Sequence, residues 1–325
     1  MKNNFFSGIL AAVMLSGILH LPIMAQNDSV RLLPSHPAWL VPASKFDKKR
    51  FPGVATSLGA GYTAALVGLN ELWYKGFPRS SFHFINDLGE WQQIDKAGHI
   101  VTPYLESRYI MQIYEWTGMN HQKAAIWGGF TAFMFQNTIE LFDGFSAEWG
   151  ASASDIGANF VGAALMTAQE LSWGEQRISL KVMPHFVRYD DPELQQRANE
   201  LFGENLIVRF VKDYNAINVW MSINPASFNP RQQRLKWLNV AVGYGAGGMF
   251  GGYNNIWTDE QGVLHNRNDV VRYRKFFLSF DIDFHRIPTR SRYMRVLLDA
   301  LNILKVPAPT LEINTKGQLI FHPFM

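Results

Sequence analysis

The 325-residue sequence predicts an α+β fold: an N-terminal four-helix, membrane-associated bundle followed by an antiparallel β-sheet with one amphipathic helix. Three observations carry this expectation. Apolar segments rich in small residues recur at helical spacing between residues 52 and 172. Apolar–polar alternation with a period of two takes over beyond about residue 175. Aromatic residues make up 14% of the chain, ten of them Trp, and side chains of this kind favour membrane interfaces.

The chain opens with a basic residue, Lys2, then an apolar run from Phe5 to Leu21, Pro22, and Ile23-Met24-Ala25. That is the three-part pattern of a secretory signal peptide over residues 1–25, and the run is short for a spanning helix. Residues 26–51 follow as an extended segment. The remaining length suffices for one large domain or two ordinary ones, with a core that needs no disulfide. The sequence contains no cysteine, so lipid attachment at a cysteine is not expected. Thirty Lys and Arg against 27 Asp and Glu is no nucleic-acid-binding charge, so no nucleic acid is expected as a partner.

Residues 52–175 form the helical region, with helices predicted over 52–74, 96–116, 122–142 and 154–172. In the first, Ser57, Gly61 and Ala65 stand four apart, and small residues on one stripe let another helix approach closely. The second carries Glu106, Arg108 and Glu115, too much charge to face lipid all round. The third is very aromatic. The fourth has Ser152 or Ser154 as its cap, Asp155 in its first turn where the helix dipole favours a carboxylate, and Ala158 and Gly162 four apart.

Residues 176–325 form the β-rich region. Strands are predicted over Ile178–Tyr189, Leu206–Phe210, Asn218–Ile223, Trp237–Tyr244, Phe276–His285 and Leu311–Phe321. In the fifth, Leu278, Phe280, Ile282 and Phe284 point one way, and Ser279, Asp281, Asp283 and His285 the other. That predicts one apolar and one wet face. About six strands are too few to close a membrane barrel, so the apolar face is expected to pack on the helices. Arg290–Leu304, between Pro288 and Pro307, reads as an amphipathic helix flanked by Arg286, Arg290, Arg292 and Arg295. It packs on the sheet or lies on an anionic membrane surface.

Charged residues retained in apolar helices mark where function is sought, because an unpaired buried charge is costly. Three clusters stand out: Asp95, Lys96 and His99; Glu140 and Asp143; Asp155 and Asn159. The string Asp95-Lys96-x-x-His99, then Glu140-x-x-Asp143, then Ser154-Asp155-x-x-x-Asn159-x-x-Gly162 resembles the YfiM-like family of predicted periplasmic proteins (DUF2279) over about residues 90–172. It is more distantly similar to the VanZ-like membrane proteins. The resemblance implies a cell-envelope location and supplies no established activity. The chain departs from the smaller members in lacking a lipoprotein cysteine and in adding the β-rich half.

Two chemistries suit these residues. In the first they form a buried polar network, with Lys96 neutralising a carboxylate, His99 bonding another, Asn159 satisfying a backbone group and Asp155 capping its helix. In the second His99, Glu140, Asp143 and Asp155, with Asp95, hold a divalent metal whose bound hydroxide attacks a lipid or phospho-ester, one carboxylate serving as general base. A lysine beside the site disfavours a bound cation, so the network is the expectation, without a cofactor. The same five acidic and histidine residues are the catalytic candidates of the metal alternative.

Gly243-x-Gly245-x-x-Gly248 matches the dinucleotide fingerprint by letter, but Met249–Trp257 is Gly- and Asn-rich rather than helical, so no dinucleotide is expected. It reads as a Gly-rich strand end. Ser146 lacks the second glycine of a nucleophile elbow, and His185, His265, His285 and His322 lack ligand spacing. The sum is a non-enzymatic envelope protein of structural or interaction role, with membrane lipid as expected partner, an envelope protein as a further one, and the outer membrane favoured over the inner.

Overall fold

A computed structural model describes residues 41–71, 77–205, 208–209, 212–229, 235–259 and 261–325. The signal peptide expected over residues 1–25 lies outside the described residues. Among the described residues, six α-helices and a large antiparallel sheet make an α+β fold. The helices are α1 (Arg50–Leu69), α2 (Ile94–Trp116), α3 (His121–Gly144), α4 (Ala153–Trp173), α5 (Pro192–Phe202) and α6 (Arg292–Leu301). The strands are β1 (Phe84–Ile85), β2 (Ala151–Ser152), β3 (Ile178–Pro184), β4 (Ile217–Ile223), β5 (Leu238–Gly247), β6 (Ile256–Thr258), β7 (Leu264–Asn266), β8 (Tyr273–Ile282), β9 (Thr310–Asn314) and β10 (Leu319–His322).

The four expected N-terminal helices form, yet they are not a membrane-crossing bundle: no helix among the described residues is long and apolar enough to cross a membrane. The physical reason lies in α2, which buries Asp95, Lys96, His99 and Arg108. Helices α2, α3 and α4 pack on one another around this polar interior. Helix α1 lies to the side, burying only Val54 and Leu69 and stacking Tyr62 on Phe135 of α3 at 3.8 Å. The small-residue stripe of α1 therefore does not do what its spacing suggests, since no described atom lies within 4 Å of a Cβ built at Gly61.

In α4 the same spacing does mark a close approach. A methyl carbon at Gly162 would overlap the Ile100 carbonyl of α2 and press on the Pro103 ring. Backbone cannot yield as a side-chain tip can, so Gly162→Ala should destabilise the fold by about 1–3 kcal/mol. Urea denaturation of the purified variant checks this, and a midpoint equal to that of the parent would show that the helices can part at no cost.

The main sheet runs β10-β9-β8-β5-β4-β3, every neighbour antiparallel. Within the expected strand Leu206–Phe210, the described residues 208–209 are helical instead. The first predicted strand stops at Pro184 rather than Tyr189. The last is two strands, because Gly317 adopts φ +78 and turns the chain back after Asn314. Helix α5 was not anticipated, although Asp191 caps it, Pro192 opens it and Gly203 ends it.

The register corrects which face of the sheet is wet. Ser279, Asp281 and Asp283 of the expected water-facing side are buried, Asp281 to 1% exposure, while Phe276, Leu278 and Phe280 are about half exposed. The polar face of the sheet is therefore the enclosed one. There Lys181 Nζ lies 2.7 Å from Asp281 Oδ2, with both side chains fully out of solvent. Asp281 also accepts from Ser222 Oγ at 2.6 Å and from the Val306 amide at 2.9 Å. The sheet's apolar face meets the helical half from β3 across to the near end of β5: Leu180, Val182 and Val219 join Val101, Tyr104 and Leu105 in one core cluster, which Ala246 of β5 also enters. The helical and β-rich regions thus share a core.

Candidate functional site

Lys96 stands in the first turn of α2, where the positive end of the helix dipole disfavours an ammonium. Carboxylates offset that cost. Its Nζ lies 2.7 Å from Asp87 Oδ2, 2.7 Å from Asp155 Oδ1 and 3.0 Å from Asp95 Oδ2. Asp95 and Asp155 each occupy a first helical turn, which suits their charge. Asp87 arrives by a different device: β1 pairs in parallel with β2, Ile85 opposite Ser152. This sets Asp87 Oδ1 2.6 Å from the donating Ser152 hydroxyl and 2.9 Å from that of Ser154. Ser152 Oγ in turn accepts from the Asp155 amide, so one serine caps α4 and ties it to the loop before α2.

The remaining predicted residues gather on the other side. His99 Nδ1 lies 3.0 Å from Asn159 Oδ1, an atom that only accepts, which puts the ring proton on Nδ1. Its Nε2 then faces Asp155 Oδ1 at 3.6 Å and Glu140 Oε1 at 4.0 Å. Glu140 Oε2 accepts from the Ser152 amide at 3.0 Å. Asp143, one turn beyond Glu140, is buried and adds a negative field there. All seven predicted residues fall in this region, and none of them is more than 7% exposed.

Three carboxylates round one ammonium cannot all stay ionised out of water. Burial, with the charges of Asp95 and Asp87, pushes Asp155 up to about 9 despite Lys96. Burial likewise raises Glu140 well above the carboxylate range, helped by the neighbouring Asp155 and Asp143 carboxyl groups. Asp87 goes the other way: burial opposes its ionisation, but Lys96 and Ser152 hold it down at about 2. Lys96 itself, although buried, is held protonated by Asp95 and Asp155.

Two members lay outside the sequence expectation. Asp87 sits in a loop, off any helical period, and its only sequence sign is the Asn86-Asp87-Leu88-Gly89 turn composition. Tyr214 donates to Asp95 Oδ1 at 3.0 Å from 119 residues away. Between them runs a left-handed turn: Trp91, Gln92 and Gln93 have φ of 48, 52 and 61. Each non-glycine residue there costs roughly 1–2 kcal/mol. The β-rich half holds the turn, through the Gly252 carbonyl on the Trp91 amide at 2.8 Å, Tyr244 Oη on the Gln92 carbonyl, Arg274 on Gln93 Oε1 at 2.6 Å, and Tyr214 stacked on Trp91 at 4.9 Å.

One ligand atom from each of Asp95, His99 and Asp155 lies within 4.8 Å of the others. A tetrahedral metal at about 2.1 Å would need them roughly 3.5 Å apart, so the trio has to contract and Lys96 Nζ has to leave Asp155. The set-aside signals resolve simply. Gly243 and Gly245 lie in β5, where a Cβ would strike the Trp220 ring or Asn218. His265, His285 and His322 each pair with a carboxylate, at 2.6 Å to Glu193, 2.5 Å to Asp299 and 2.8 Å to Glu312.

The family model of predicted periplasmic lipoproteins (DUF2279) matches residues 84–169. That stretch runs from β1 into the last turn of α4 and holds the whole Lys96 network except Tyr214. No curated protein and no solved structure matches the chain, and the resemblance to VanZ-like membrane proteins gains no support. The match supports an exported, cell-envelope location and names no activity.

Proposed function

We propose that the chain is a membrane-associated envelope protein of structural or interaction role, whose helical half is stapled by the buried network around Lys96. The match to predicted periplasmic lipoproteins supports the location. The observation that carries the network reading is the lysine itself: its ammonium lies within 3.0 Å of three buried carboxylates, in the position a bound cation would take. With its partners buried as well, no group of the set reaches a substrate without the helices parting.

A second reading, a divalent-metal hydrolase acting on a lipid or phospho-ester, rests on the proximity of Asp95, His99 and Asp155 and on the excess of acid over base around them. Elemental analysis of the full chain, purified under zinc- and manganese-replete conditions, separates the two. The expected result is less than a tenth of an equivalent of either metal. One equivalent, lost on His99→Ala with the fold retained, would overturn the network reading.

A further inference from the structure

We propose that the outward face of β5, β8, β9 and β10 beds in the acyl chains of one leaflet of an anionic lipid layer, with α6 lying at that layer's interface. The proposal rests on the membrane-associated reading above and names the surface that serves it.

The register places apolar side chains in rows across the sheet. One row runs Leu180, Met221, Val242, Leu278, Leu311, Phe321, and the next runs Val182, Val219, Tyr244, Phe276, Ile313, Leu319. Each row is covered by helix α2 at its β3 end and open at the other, where Leu319 and Phe321 are 70% and 60% exposed. Phe280 opposite Val240 begins a third. Every outward position of β8 from Phe276 to Ile282 is apolar, while the inward positions are buried, Lys275, Ser279 and Asp281 among them polar and Phe277 apolar. A sheet with water on its outer face has the opposite polarity; this one has the polarity of a strand facing lipid.

Size sets the depth. Phe276 to Phe280 spans about 13 Å along the strand at roughly 3.3 Å per residue. That is under half of a hydrocarbon core of about 30 Å, the depth of a single leaflet. Helix α6 supplies the argument for lipid over a second copy of the chain. Tyr293, Met294, Leu297 and Leu301 form its exposed stripe, while Asp299 is buried against His285. Arg290 is exposed just ahead of that stripe and Arg295, which donates to the His285 carbonyl at 2.7 Å, stands within the helix, whereas Arg286 is taken up by Asp283 and Glu175; the result is a basic amphipathic helix of the kind that lies on anionic headgroups.

The test uses the full chain and vesicles of phosphatidylethanolamine and phosphatidylglycerol. The parent is expected to float with the vesicles, and Leu278→Lys/Ile313→Lys to reduce the bound fraction about tenfold or more, as charges on a lipid-facing sheet do. Because the chain has no cysteine, Leu278→Cys and Lys316→Cys carry single fluorophores without background. Doxyl-labelled lipids should quench the label at 278 and leave the label at 316 largely untouched. Equal quenching at both, no quenching at 278, or a concentration-dependent dimer in vesicle-free buffer with residue 278 at its interface would overturn the proposal. If cell fractionation still recovers the double-lysine variant wholly in the membrane, this surface is wrong and the membrane-associated reading stands. Recovery of the parent in the soluble fraction would remove both.

Discussion

Lys96→Met lowers the stability of the purified chain by about 3–5 kcal/mol, the expected consequence of deleting the one cation among three buried carboxylates. The loss has a pH signature. Asp155 is raised to about 9, so its contribution in the parent is greatest at acid pH and declines as pH rises from the ordinary carboxylate range through about 9. Asp87 is depressed to about 2, so its contribution is present above the carboxylate range and is lost as pH falls through about 2. Removing Lys96 takes away the larger part of what holds Asp87 down and leaves the Ser152 hydroxyl. The deficit of the variant is therefore largest at alkaline pH and shrinks towards pH 5, where the carboxyl groups take up protons. Urea denaturation at pH 5, 7 and 9 measures it, and a pH-independent deficit under 1 kcal/mol would mean that water reaches the site.

The second large effect lies in the sheet. Asp281→Ala leaves Lys181 Nζ without a carboxylate at hydrogen-bond distance among the described residues, held by the Ile282 carbonyl at 2.7 Å, and leaves Ser222 Oγ and the Val306 amide without their acceptor. The expected cost is about 3–5 kcal/mol. Lys181→Met introduced on that background should restore a large part, because it removes the stranded charge rather than a favourable contact. A double-mutant cycle by chemical denaturation reads the coupling, and simple additivity of the two losses would show that the two groups do not share one buried environment.

The helical half was legible because its signals are local. The apolar runs, the Ser152 cap and the Asp95/His99 and Asp155/Asn159 spacings all read out along one helix, and the structure brings all seven named residues to one region. Asp87 and Tyr214 escaped because what places them is long-range: a two-residue parallel pairing in one case and a contact across 119 residues in the other. The sheet was legible as alternation, but a period of two says nothing about which face turns inward. Asp281 went inside because Lys181, on a strand 100 residues earlier, was waiting there to pair with it. The small-residue stripe on α1 shows the converse: the spacing that seats Gly162 against Ile100 in α4 meets no described partner at Gly61.

The left-handed turn at Trp91–Gln93 has a bearing on the order in which the molecule assembles. Its clamps, Tyr244 and Arg274, lie 152 and 181 residues downstream of the atoms they hold. Contacts of such sequence separation form late, after the entropy of closing a long loop has been met. A chain delivered N-terminus first across a membrane therefore presents α2 before anything exists to fix its opening turn. Asp95 and Lys96, two and three residues past that turn, acquire their final places only once β5 and β8 arrive. The helical half is the earlier part to emerge and the later part to be finished.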